Sequence, residues 1–98
     1  MIDLSRLHSI TEGDKETEKM LLTLFYDTTC RILSDLQNNN GEWKKLVHEL
    51  RGAAANLGLG LLAEACLEAE QNPPTGPDRE AFLDVIRQTI LELESLIA

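Results

Sequence analysis

Apolar residues recur along almost the whole chain at spacings of three and four, and nowhere do they alternate. Such spacing lines one face of a helix, whereas a half-buried strand would show period two. Asp3 is placed to cap a short first helix, Leu4 to Ile10, with Leu4, Leu7 and Ile10 turned inward. Gly13-Asp14 opens a long second helix from about Asp14 to Gln37, with the stripe Leu21, Leu24, Phe25, Thr28, Ile32 and Leu36. Glu16 and Glu18 fall in its first turn, where the helix dipole favours acids. Asn38-Asn39-Asn40-Gly41 ends it. A third helix carries Leu46, Leu50, Ala53, Ala54 and Leu57, with Trp43 and Val47 at the margin. The fourth runs from Gly60 to Gln71 with Leu62, Ala65, Cys66 and Ala69 inward. After the loop Asn72 to Gly76, Pro77-Asp78 starts a fifth that buries Phe82, Ile86, Ile90, Leu93 and Ile97. The expectation is an all-α fold: an up-and-down four-helix bundle with a short N-terminal helix, forming one domain over residues 1–98.

Composition narrows the picture. Aromatics make up only 4% of the 98 residues, so the core must be aliphatic. No run approaches the roughly 20 apolar residues of a membrane span. The start, Met1-Ile2-Asp3-Leu4, lacks the basic-then-apolar order of a signal peptide. Cys30 and Cys66 both fall at core spacing and read as buried, reduced thiols of a cytoplasmic protein. The net charge of −8 argues against sequence-independent nucleic-acid binding. It also makes the local cluster Lys44, Lys45 and Arg51 conspicuous.

One residue of the third helix breaks its pattern. At about 100° per residue, His48 falls roughly 160° from the centre of the apolar stripe and so faces solvent. Around it lie Lys44, Lys45, Arg51, Gly52 and Ala55: cations, and two residues with almost no side chain. That is a surface cleared for a second molecule to reach a titratable nitrogen.

The short turn at Leu59 folds helices three and four into an antiparallel hairpin. Residues equidistant from the turn then share a height: His48 with Glu70, Arg51 with Leu67, Gly52 with Cys66, Ala55 with Ala63. Ala63, Leu67 and Glu70 share one flank of the fourth helix, and on that flank Glu70 meets the imidazole. A carboxylate on Nδ1 fixes one tautomer and leaves a more basic Nε2 lone pair outward. This suits a general base or a nucleophile. For a nucleophile that accepts a phosphoryl group, Arg51, one turn away, is placed to hold the phosphoryl oxygens. Each feature also has a plain structural reading. An exposed histidine is commonly just solvated, the cations form surface pairs such as Lys45–Glu49, and Ala53-Ala54-Ala55 is ordinary helix-forming sequence.

His48-x-Leu50-Arg51-Gly52, with Gly58 ten residues beyond the histidine, resembles the signature of histidine-containing phosphotransfer (HPt) domains of bacterial two-component phosphorelays. Ile2-Asp3-Leu4-Ser5-Arg6-Leu7, the Gly13-Asp14 start and Leu61-Leu62-Ala63-x-x-Cys66-x-x-Ala69-Glu70 are similar to the family too, so the resemblance spans essentially the whole chain. It implies that His48 is phosphorylated on Nε2 and that Gly52 admits a receiver domain. Arg51 stands where the family usually has lysine, and replaces a point charge by a planar fork. Glu70 stands where many members carry glutamine, and matches the glutamate that holds the histidine Nδ1 in the chemotaxis-kinase branch.

The implied role is a carrier, neither kinase nor hydrolase. A receiver aspartate, or a hybrid sensor histidine kinase, donates the phosphoryl group, and His48 passes it to a response-regulator receiver. The receiver supplies the carboxylates and Mg²⁺; the chain itself has no Gly-rich phosphate loop and needs no cofactor. The docking face implied is Lys44, Lys45, Gly52, Ala55, Ala63 and Leu67. A second reading is an inhibitory module that docks receivers without transfer. A third, a small hydrolase using His48 and Glu70, lacks an oxyanion site and a second nucleophile. No metal site is expected, because His8 and His48 lie on different elements and no Cys or His pair has ligand spacing. Neither nucleic acid nor membrane is an expected partner of this domain, which would sit in the cytoplasm, free or as the cytoplasmic end of a sensor kinase.

Overall fold

The computed structural model describes residues 2–98, and among these the only regular elements are helices. They are α1 (Ser5–Thr11), α2 (Lys15–Gln37), α3 (Trp43–Asn56), α4 (Gly60–Gln71) and α5 (Gly76–Ile97). Each of the four long helices packs on its chain neighbour, α5 closes back on α2, and α1 lies against α2. Short connections between antiparallel neighbours make this the up-and-down bundle.

Local chemistry explains the boundaries. Asp14 caps α2, its carboxylate accepting from the backbone N–H groups of Glu16 and Thr17. A bond from the Thr17 hydroxyl, followed by those backbone bonds, holds the Asp14 carboxyl below its usual range. Asp3 Oδ1 accepts from Ser5 N–H at 2.9 Å, one residue ahead of the α1 cap position. Pro77 occupies the first turn of α5, where no intrahelical donor is needed. The α3 end is a Schellman turn. Gly58 N–H donates to Ala55 C=O at 3.0 Å and Leu59 N–H to Ala54 C=O at 2.9 Å, with Gly58 at φ +78°.

One aliphatic cluster joins all five helices, with Leu7, Ile32, Val47, Leu50, Cys66, Ile86 and Leu93 at its fully buried centre. Several inward faces sit about one residue away from expectation. On α2 the buried positions are Leu22, Phe25, Thr29, Ile32 and Leu36; Leu24 is exposed and Leu21 and Thr28 only half-buried. Thr29 tolerates burial because its hydroxyl donates to Phe25 C=O at 2.7 Å. On α3 Val47 is buried and Leu46 and Ala53 are marginal, the reverse of the expected order. On α4 Ala65 is only half-buried. On α5 Leu83 joins the core, while Ile90 and Ile97 pack at its edge. Ile10 faces solvent and Thr11 takes the inward place, its hydroxyl on Leu7 C=O. Cys30 is half-buried rather than core, whereas Cys66 is enclosed; both are free thiols. Burial pushes the Cys66 thiol up to about 12, which keeps it protonated and inert.

Two polar anchors cross between helices. Trp43 Nε1 donates to Ala69 C=O at 3.0 Å, and its ring lies 5.6 Å from Phe82, tying α3 to α4 and α5. Arg79 lies over that indole at 5.2 Å and donates to Leu36 C=O at 2.7 Å, so the C-terminal end of α2 is capped from α5.

The α3–α4 register depends on Gly58. A Cβ built there would sit 2.5 Å from Arg6 Cβ, and φ is left-handed. Gly58→Ala is expected to cost about 2 kcal/mol or more, from αL strain plus displacement of Arg6. Gly60→Ala, where a Cβ meets nothing within 4 Å, is the control. Urea denaturation of both variants checks the difference.

Candidate functional site

Burying Val47, Leu50 and Ala54 turns the opposite face of α3 outward. His48, in the second turn, has a side chain 61% exposed. Beside it, in the last turn of α4, the Glu70 side chain is only 13% exposed. Glu70 Oε1 stands 2.8 Å from His48 Nδ1, so the height pairing across the hairpin is realised for this pair. Arg51, one turn further along α3, places Nε 3.2 Å from Glu70 Oε2 and Nη2 3.1 Å from His48 Nδ1.

These distances select one protonation pattern. As a carboxylate, Glu70 only accepts. An unprotonated Nδ1 would then face it lone pair to lone pair at 2.8 Å. Nδ1 therefore carries the proton and donates to Glu70. It has no lone pair left for Arg51 Nη2, whose closeness follows from the Arg51–Glu70 ion pair. The tautomer leaves the Nε2 lone pair on the far side of the ring, toward solvent. Glu70 Oε2 is buried, and its contact with Arg51 Nε is an ion pair without hydrogen-bond alignment.

The Arg51 side chain makes a contact that height pairing does not anticipate. Height pairing sets it opposite Leu67, and its expected task is at the phosphoryl oxygens. In the structure its guanidinium is committed to Glu70, on the Nδ1 side of the ring. The side chain is long enough to span a full helical turn, which backbone register does not reveal.

Around the imidazole the surface is low. Gly52 and Ala55 are exposed, Ala63 half-buried and Leu67 37% exposed. Lys44 and Lys45 are exposed beyond them; Lys45 lies 3.8 Å from Glu42, while Glu49 pairs with Arg31 of α2 rather than with Lys45. A Cβ added at Gly52 would meet nothing within 4 Å, and the residue sits in ordinary helix. Nothing within the chain requires a glycine there.

A second imidazole–carboxylate contact was not anticipated. His8 Nδ1 bonds to Glu18, which also accepts from the Thr11 hydroxyl at 3.0 Å. The His8 bond, followed by that of Thr11, holds the Glu18 carboxyl below its usual range against opposing desolvation. It fastens α1 to the first turn of α2. Among the described residues no group of three His, Cys, Asp or Glu side chains is arranged to hold a metal ion, and no helix is long and apolar enough to cross a membrane.

The family model described as Hpt domain matches residues 20–96, which span α3, α4 and nearly all of α2 and α5. Neither the curated proteins nor the solved structures contain a match to the chain.

Two outcomes test the local argument. Gly52→Ala is expected to raise stability by about 0.5–1 kcal/mol, the ordinary gain at a helix interior, measured by urea denaturation. Glu70→Leu is expected to move neutral His48 from the Nδ1–H form toward Nε2–H, with Arg51 Nη2 then donating to Nδ1. Imidazole ¹⁵N shifts read this directly, and unchanged shifts would show that Glu70 does not set the tautomer.

Proposed function

The chain belongs to the Hpt domain family, and from that membership we propose that it carries a phosphoryl group on His48 Nε2 between receiver aspartates of a phosphorelay. The observation that supports His48 as the carrier is its contact with Glu70: an exposed imidazole whose Nδ1 is held at 2.8 Å by a shielded carboxylate.

The transfer uses groups in the places described. The Nε2 lone pair attacks the phosphorus of a receiver's aspartyl phosphate, forming an N–P bond as the P–O bond to the aspartate breaks. The aspartate leaves as a carboxylate. Nδ1 keeps its proton, so the ring becomes a phosphorylated imidazolium, and the adjacent Glu70 carboxylate stabilises that positive charge. The reverse sequence hands the group to the next receiver. Mg²⁺ and the acidic groups that hold it belong to the receiver. Arg51 positions Glu70 and keeps a cation within one turn of the phosphoryl group. With Glu70 in place of the common glutamine, the charged phosphoimidazolium is favoured over the neutral form, which bears on the lifetime of the phosphorylated state.

Docking falls to the low surface beside His48. Gly52 and Ala55 leave room for the partner's backbone, Ala63 and Leu67 give it an apolar contact, and Lys44 and Lys45 suit the acidic rim of a receiver. The helix-propensity cost of Gly52 has no compensation inside the chain; close approach of a receiver supplies one. As a carrier the domain performs no net reaction of its own. Its free thiols fit the reducing cytoplasm in which such relays operate.

The experiment is transfer from a phosphorylated receiver. Label that is acid-labile and alkali-stable should accumulate on the domain, pass to a second receiver, and vanish completely in His48→Gln. Label that survives the substitution places the site elsewhere. Receiver binding with no label in the wild type favours the inhibitory module instead.

A further inference from the structure

The seam between α4 and α5 is open. A groove of about 670 Å³ follows it from Asp3 and the Gly58–Gly60 turn, and a second of about 550 Å³ continues it to the Pro73-Pro74 loop. The two share Ala81 and Val85, so they form one channel along the same pair of helices. Its floor is small, with Ala65, Ala69 and Ala81, and its apolar walls include Leu61, 76% exposed, and Val85, 43% exposed. Small residues along a groove let another backbone approach closely, and Leu61 and Val85, lining the same groove, add exposed apolar surface beside them.

The rim is acidic throughout. Asp3, Glu64, Glu68, Asp78 and Asp84 line the channel, and among the described residues no lysine, arginine or histidine does. Asp84 is partly balanced by Arg87 at 2.6 Å, Glu68 accepts from Asn72 at 3.3 Å, and Asp3 accepts from Ser5. The rim is therefore predominantly negative beside apolar residues. Anionic lipid is repelled by such a rim. A second copy of this chain, at net charge −8, is opposed as well.

We propose that the α4–α5 channel binds a basic amphipathic helix of a partner protein, with the helix's apolar stripe on Ala65, Ala81 and Val85 and its flanking cations against the carboxylates. From Asp78 to Glu92 the channel follows α5 for about 21 Å at 1.5 Å per residue, the length of a partner helix of about 14 residues. The channel is on the other flank of α4 from the histidine. At about 100° per residue, Leu61, Ala65 and Glu68 lie on one side of the core stripe Leu62, Cys66 and Ala69, while Ala63, Leu67 and Glu70 lie on the other. Occupancy of the channel therefore leaves His48 accessible, and the inference does not rest on the transfer reading.

The test uses a designed 14-residue helix with leucines on one face and lysines flanking them. Two controls accompany it: the same peptide with every lysine replaced by glutamate, and a scrambled peptide of identical charge. ¹⁵N-labelled protein is titrated with each. The lysine helix should saturate, shift the amides of Leu61, Ala65, Ala81 and Val85, and leave Gly52, Ala55 and Ala63 unmoved. Leu61→Ser and Val85→Ser, both at exposed positions and checked for unchanged helicity, should each weaken binding at least tenfold. Equal binding of the glutamate or scrambled peptide overturns the proposal, as does a shift map centred on Lys44 and Lys45. Sedimentation showing that the protein dimerises through these residues assigns the channel to a second copy and overturns it too.

Discussion

The turn between α3 and α4 is the constraint on which the rest depends. Only two residues separate Leu57, the last buried position of α3's stripe, from Gly60, the first residue of α4. Reversing a helix in that space needs a left-handed residue, which Gly58 supplies, and two carbonyls of α3 satisfied by the turn itself, which the Gly58 and Leu59 N–H groups supply. Because the turn is so short, it permits almost no axial slippage. Height along α3 is thereby translated into height along α4, and Glu70 arrives opposite His48 without any interaction between them being required to put it there. The imidazole–carboxylate contact is a product of the register rather than its cause. That ordering explains how a site with one exposed member can still be well positioned: the core and the turn set the geometry, and the polar groups inherit it.

Glu70 then does more than orient a ring. Its carboxylate is largely shielded from water and stands between an imidazole N–H and a guanidinium. A shielded carboxylate is costly unless it is compensated, and here His48 donates to Oε1 while the Arg51 charge lies beside Oε2. The consequence for Arg51 is a division of labour different from a free cation's. Its charge is spent on Glu70, and a ligand at Nε2 would have to compete with that carboxylate for it. Lysine, with one ammonium and no fork, cannot bridge Glu70 and still lie beside Nδ1 in the same way. Arginine at 51 and glutamate at 70 thus read as a matched pair.

Helix boundaries were legible because they are local. Asp14, Asn38, Gly58 and Pro77 each impose their effect within a turn, and α4 begins and ends where the punctuation puts it. The inward faces were less so. On α2 the stripe is displaced because this long helix packs against α1, α3 and α5 at once, and the buried face is the compromise among them. Thr29 tolerates the interior because Phe25 C=O satisfies its hydroxyl. Periodicity counts apolar residues and cannot see that bond. For the site, backbone register was enough to pair His48 with Glu70, since both side chains are short relative to the helix spacing. It was not enough for Arg51, whose contacts are decided by side-chain reach. The His8–Glu18 contact escaped for a related reason: it joins two elements across the Gly13-Asp14 turn, where no helical period applies.

The same register that builds the site opens the channel behind it. Trp43 and Phe82 draw α3, α4 and α5 together at the end near Pro73, but no aromatic side chain performs that task beside Leu61. With aromatics at 4% of the sequence, the bundle has few groups bulky enough to fill that seam. On the proposed reading, the acidic rim selects the charge of what can enter it. A carrier with one flank given to His48 and the opposite flank to a cationic helix could be tethered and still exchange its phosphoryl group, because the two surfaces share α4 but no residue.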